Sequence, residues 1–269
     1  MAKATTPETA DPVKTRGHRS TGTYVYGLVP ADVEMSEDVL GVGNPPGKVR
    51  LIRHGEISAL VSEVSLDSRL GTPDDLVAHE RLLDATAAEV PVLPIRFGAV
   101  MSTPDGVVDE LLEPHHDDFL AALDELEGRV EYVVKARYVE RTVLREILSE
   151  NPEAARLREE IRAQPEELTR QARIQLGELV ERAIAAKRQA DTEALTEDLA
   201  SLGVLIAERP PSHEHDAAQV AVLIEAERED ELEEVVEEFA AGSEGRITLR
   251  LQGPLAPYDF VVTPEEEAG

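Results

Sequence analysis

An α+β fold in two domains is predicted by three observations. Short runs rich in Val, Ile, Leu and Tyr alternate with a period of two, capped helices with apolar stripes separate them, and the second half orders them strand-helix-strand-strand-helix-strand. The division that follows is a disordered leader over 1–22 and a small N-terminal α+β sheet domain over 23–128. A C-terminal ferredoxin-like (split β-α-β) domain with extra helices spans 129–252, and 253–269 is an extended tail packing on the body.

Thr23 to Val29 alternates as the first strand and stops at Pro30. Lys48 to Arg53 and Ile57 to Val64 form two more strands around a tight turn at His54-Gly55-Glu56. Between them, Asp32 to Gly47 is punctuated by Gly41, Gly43, Pro45 and Pro46 and reads as a linker or surface loop. No lysine followed by Ser or Thr makes it a nucleotide loop, and its glycine spacing does not fit a dinucleotide fingerprint. Thr72 caps a helix with Pro73 in its first turn and Asp75 near the free amides; Leu76, Leu82 or Leu83, and Ala87 face its core side. Val92 to Phe97 follows as a short strand. Thr103-Pro104-Asp105 repeats the cap signal for a helix bearing Val107, Val108, Leu111 and Leu112, which Pro114 breaks. Phe119, Leu123 and Leu126 stripe the next helix.

The second unit opens with a strand from Val130 to Ala136. A helix with Val143, Leu144, Ile147 and Leu148 follows, then another capped at Asn151-Pro152. A long helix starts near Pro165 and presents Leu168, Ala172, Leu179, Ala183 and Ile184, with a separate short helix around Leu195 to Leu199. Leu202 to Glu208 and Gln219 to Glu225 are strands flanking a polar loop. Glu229 to Phe239 is a helix with Leu232, Val235, Val236 and Phe239 on one stripe, and Arg246 to Leu251 is the last strand.

The formal charge is -28, from 55 acidic against 27 basic residues, so the surface repels phosphate backbones and anionic lipid heads. Nucleic acid and membrane are therefore not expected partners; the densest basic run, Lys187-Arg188, is too small to reverse this. The acidity reads as a solvated face or as attraction to a basic partner. With aromatics at 3% and no tryptophan, the core must be built from small aliphatic side chains. The absence of cysteine removes disulfides, thiolate catalysis and cysteine-based metal centres. Residues 1–23 lack the apolar stretch of a signal peptide, and no run approaches the ~20 apolar residues of a membrane span, so a cytoplasmic protein is expected.

Candidate chemistry is sparse. His213 and His215 alternate with Glu214 and Asp216, either as a solvated loop or as part of a metal site that lacks a third ligand at the usual spacing. His115-His116-Asp117-Asp118 opens a helix, and His79 lies within one. Glu233-Glu234 and Glu237-Glu238 sit on a wet helical face, which does not separate their pKa values as acid-base work requires. No nucleophile elbow or zinc-protease helix is present. No enzyme activity, cofactor or metal is expected. Arg96, inside Pro94-Ile95-Arg96-Phe97-Gly98, either pairs with a carboxylate or contacts a partner or ligand. Lys135 packs its stem in an apolar strand while its ammonium reaches solvent. Tyr24 and Tyr26 share one face of the first strand, as core or as contact surface.

From Thr23 to Val262 the chain resembles the gas vesicle accessory proteins of the F/L type. The resemblance rests on Thr23-Tyr24-Val25-Tyr26-Gly27, on Pro91-Val92-Leu93-Pro94-Ile95-Arg96-Phe97-Gly98, and on Glu131-Tyr132-Val133-Val134-Lys135. Leu176-Gly177-Glu178-Leu179 and Lys187-Arg188-Gln189-Ala190-Asp191 add to it, as does the ending Gly253-Pro254-Leu255-Ala256-Pro257-Tyr258-Asp259-Phe260-Val261. Tyr132, Val133, Leu255, Ala256 and Asp259 depart from the family pattern. The resemblance implies a two-domain α+β protein, not an enzyme, that helps build gas vesicles and contacts the major shell protein and other accessory proteins. On that reading Tyr258 and Phe260 are the expected partner anchors, with Arg96 and Lys135 as orienting groups. The alternative is a small-molecule-binding regulatory protein.

Overall fold

The computed structural model describes residues 20–261 apart from 37 and 244. Most of the leader, and the tail from 262 onward, lie outside the described residues. The chain is α+β, with one sheet and its helices in each half.

The first sheet contains β1 (Thr21–Pro30), β2 (Val49–His54), β3 (Ile57–Ser65), β4 (Leu93–Pro94) and β5 (Val100–Met101). Its order is β2-β3-β1-β4, with β5 also paired to β1, and the pairs are antiparallel. Strand β1 is buried on both faces because each face has a layer of its own. Tyr24, Tyr26 and Val29 pack toward α1 (Pro73–Ala87), while Val25 and Leu28 pack toward α3 (His116–Leu126). Between them, α2 (Pro104–Gly106) runs into a π-helical stretch, Val107–Leu112, which buries Val107 and Leu112.

Three expectations in this half need correction. The strand over Val92 to Phe97 shrinks to Leu93–Pro94, because Pro91 and Pro94 remove amides a ladder would use. Leu76 is 43% exposed: the buried stripe of α1 is Asp75, His79, Leu83 and Ala87, spaced four apart. The 32–47 segment turns apolar side chains inward, with Val42 buried and Val33, Met35 and Val39 packed on the same cluster.

The second sheet contains β6 (Arg129–Tyr138), β7 (Leu205–Glu208), β8 (Asp216–Glu225) and β9 (Ile247–Leu255), antiparallel in the order β7-β8-β6-β9. One face packs on α4 (Glu140–Glu150), α6 (Arg170–Ala200) and α7 (Glu229–Gly242), through Tyr132, Val134, Val220, Val222, Leu195, Leu199 and Leu232. Helix α5 (Pro152–Ala163) lies against α6, and its Asn151 cap accepts from the Glu153 and Ala154 amides at 3.1 Å.

The separate helix expected at Leu195 to Leu199 is the end of α6, whose 31 residues meet no Gly or Pro between Gly177 and Ala200. Leu168 is 71% exposed and precedes α6 in a short 3₁₀ turn. Strand β7 starts at Leu205, not Leu202, because Gly203 takes a φ of 67° to end the helix. The last strand runs on through Gly253 and Pro254 to Leu255, which pairs with Glu131, so the sheet claims the first residues assigned to the tail. At Gly253 a side chain would collide with the Tyr132 ring, so only glycine fits this close approach.

Candidate partner-facing surfaces and the tail

From Ala256 to Phe260 the chain leaves the second sheet and packs on the cores that flank the first. Ala256 is buried in the α1-side core, and its amide donates to Asp84 Oδ1 at 3.0 Å. Tyr258 is half-buried, and its hydroxyl lies 2.7 Å from His79 Nε2. His79 Nδ1 lies 3.0 Å from the Tyr24 hydroxyl, which accepts from the Gly98 amide at 3.0 Å. Gly98 has a φ of 100°, the left-handed conformation that favours glycine. Burial pushes His79 down to about 4, so at neutral pH its ring is uncharged, one nitrogen donating and the other accepting. Burial likewise pushes Tyr24 and Tyr258 well above the usual phenol range.

A second clasp holds Asp259. Its amide donates to Glu131 Oε2 at 3.1 Å, while Arg209 donates Nε to Asp259 Oδ2 at 2.7 Å and Nη2 to Glu131 Oε1 at 3.0 Å. Glu131 is fully buried, which pushes its carboxyl up; the neighbouring Asp259 carboxylate adds to the effect, while the Asp259 amide and Arg209 oppose it. Phe260 is half-buried against the α3-side core, which Leu223 of β8 also enters. Tyr258 and Phe260 therefore bind the tail to the body. Arg96 is exposed after β4 of the first sheet, and Lys135 is half-buried on β6 of the second.

Asp75 ties the cap of α1 to the preceding loop. Burial alone would raise its pKa, but donation from the Gly43, Thr72 and Gly71 amides and the Thr72 hydroxyl holds it below the usual carboxylate range. Asp216 organises the loop that carries His213, while His215 Nε2 lies 3.4 Å from Glu214 Oε1. Asp216 accepts from the Ser212 and His213 amides at 2.9 and 2.8 Å, from Gln219, and from Arg137. Against burial, these donors push it down to about 2. His116 meets Glu56 at 3.1 Å and Asp117 at 3.0 Å. Among the described residues no cluster of three or more His, Cys, Asp or Glu fits a metal ion, and no helix is long and apolar enough to cross a membrane.

One surface escaped the sequence reading. A groove of about 800 Å³ runs between α1 and the 32–40 segment, lined by Val33, Met35, Val39, Leu40, Leu82 and Val90 among others. Leu40 is 55% exposed at its edge. The signal was present in the alternation of Val33 and Met35 and the pair Val39-Leu40, apolar residues that a plain surface loop does not need.

Residues 22–262 match the family model for the gas vesicle synthesis protein GvpL/GvpF. The chain belongs to the GvpL/GvpF family. It is similar to gas vesicle protein F of Streptomyces sp. (strain CB03234), at 32% identity over 240 residues, covering 89% of this chain and 99% of that protein. Gas vesicle protein L of the same strain is 30% identical, covering 91% and 94%. The crystal structure of the gas vesicle protein GvpF from Anabaena sp. PCC7120 superposes with a TM-score of 0.72 at 25% identity, covering 91% of this chain and 99% of that one. For a GvpL/GvpF member, the motifs around Arg96, Lys135 and Tyr258 fall inside the matched region.

Proposed function

We propose that this protein contacts the major gas vesicle shell protein during assembly, and that the groove between α1 and the 32–40 segment receives an apolar segment of it. Membership of the GvpL/GvpF family makes the chain an accessory protein of gas vesicle assembly and favours that role over a small-molecule regulator. The observation that carries the shell reading is the groove itself: about 800 Å³, with Val, Met and Leu side chains along its walls and Asp32, Glu34, Arg81 and Glu89 also lining it, on a chain whose formal charge is -28. An unassembled shell subunit exposes apolar surface and strand edges that invite aggregation, and an acidic companion covering them keeps the pair dispersed.

Arg96 and Lys135 orient the partner in this reading, and Tyr258 and Phe260 contribute through the faces their half-burial leaves open. The role is non-catalytic, the other partners are further accessory proteins, and the place of action is the cytoplasm at the growing vesicle. We read the second sheet as ferredoxin-like, because its order β7-β8-β6-β9, with helices between β6 and β7 and between β8 and β9, fits the split β-α-β pattern.

Co-expression with the major shell subunit, followed by co-purification at two salt concentrations, tests the proposal. A retained complex, lost in Met35→Asp and Leu40→Asp, is expected. A shell subunit that aggregates while this protein elutes free rejects direct contact. Phe260→Ala should weaken the complex with the fold intact; unfolding instead assigns that ring to the core alone.

A further inference from the structure

Cations are scarce in this chain, and several of those between elements meet carboxylates. Arg246 bridges Glu146 and Asp191, Lys187 meets Glu146 and Glu150, and Arg209 joins Glu131 to Asp259. Lys135 and Arg250 are different. They are direct register partners on β6 and β9, and no ion pair or side-chain hydrogen bond joins either to another described residue. Like charges placed opposite one another across a strand pair are destabilising. Arg137, two residues beyond Lys135, donates Nε to Asp216 and remains 55% exposed along its side chain. Together with Thr248 and Gln252, these three cations line a depression of about 240 Å³ on the sheet face opposite the helices. The far end of that face is covered by the tail clasp at Glu131 and by the packing of Leu223 into the α3-side core; this end is open.

We propose that this face is a docking cradle for an acidic peptide segment of a partner protein. The cations form a row along the strands instead of converging on one point. Two residues along a strand is about 7 Å, the repeat at which an extended peptide presents side chains to one side. Carboxylates at alternate positions therefore meet the Lys135–Arg250 pair and then Arg137, while Thr248 and Gln252 offer hydrogen bonds to the peptide backbone. The proposal rests on the reading of Lys135 as partner-facing and on no other part of the shell reading.

The test uses the full chain and a fluorescein-labelled octapeptide with Glu at every second position and Ser between, read by fluorescence polarisation. Saturable binding that weakens as salt rises is expected, despite the repulsion of a chain charged -28 overall. Lys135→Glu with Arg250→Glu should weaken it at least ten-fold, and Arg158→Glu, on the exposed face of α5, should not. If the charge-reversed variant fails to fold, Lys135→Gln with Arg250→Gln replaces it with the same expected loss. No binding to the native chain, equal binding by the double variant, or displacement by inorganic phosphate at matched ionic strength overturns the proposal. Because no shell subunit is present, failure here leaves the shell contact standing.

Discussion

In the N-terminal sheet, Tyr24, Tyr26, His79 and Asp75 place hydrogen-bonding groups inside the core, and part of that core arrives from the tail. In the C-terminal sheet the core is mostly aliphatic, and charges gather at the rim. There Arg246 holds Asp191 through two bonds of 2.8 Å, lies over the Tyr138 ring, and reaches Glu146 at 2.9 Å, so β9, α6 and α4 are clamped from outside. The stability of an aliphatic core is set by filled volume. A polar core depends in addition on proton occupancy and on every donor keeping its acceptor. The two halves should therefore fail for different reasons.

The largest effect is expected from emptying the aliphatic side. Leu199, fully buried, becomes Leu199→Ala at a cost of about 2–5 kcal/mol, measured by denaturant unfolding, with hydrogen exchange accelerating first in β6 and β8. Asp75→Ala strands the Gly43, Gly71 and Thr72 donors and should cost about 2–4 kcal/mol, localised by exchange to α1 and β1. If both variants accelerate exchange equally in both sheets, the halves are one cooperative unit and the contrast breaks.

The pH dependence sharpens it further. His79 titrates at about 4 in the folded chain and near 6.5 unfolded, so the unfolded chain binds more protons between these values. Its contribution is full above pH 6.5 and is lost as pH falls toward 4, on the order of 3 kcal/mol at most. His79→Gln should flatten that limb in a series of thermal melts. Glu131, whose pKa is raised, acts with the opposite sign: its contribution is fully present at low pH and is lost as pH rises from the ordinary carboxylate value through the folded one. Tyr258→Phe removes one hydroxyl contact with His79 and should cost about 1 kcal/mol, seen as faster exchange at the Ala256 amide. Leu168→Ala, at a site 71% exposed, should stay within about 0.5 kcal/mol.

The caps and stripes were legible in the sequence because they are local. Thr72-Pro73 and Asn151-Pro152 start helices where the residues say, and Phe119, Leu123 and Leu126 are buried at helical spacing. What local reasoning missed depends on distant partners. Leu76 and Leu168 are as apolar as Leu83, and only the position of the sheet decides which is covered. Val33 and Met35 look like loop residues until α1 lies beside them. Lys187-Arg188 reads as the densest basic run in the sequence, but in the fold Lys187 is matched by Glu146 across elements, and nearby Asp191 is held by Arg246. The cradle was half visible: Lys135 stood out in its strand, yet its pairing with Arg250 rests on a register between residues more than a hundred positions apart.

The placement of the tail also orders events during synthesis. The N-terminal sheet leaves the ribosome first, and domains generally fold as they emerge. Here the α1-side core lacks Ala256 and Tyr258 until β9 of the other sheet has been translated. A first half that folds as it emerges therefore keeps an unfilled core, and a His79 short of one partner, until Ala256 and Tyr258 arrive to close it.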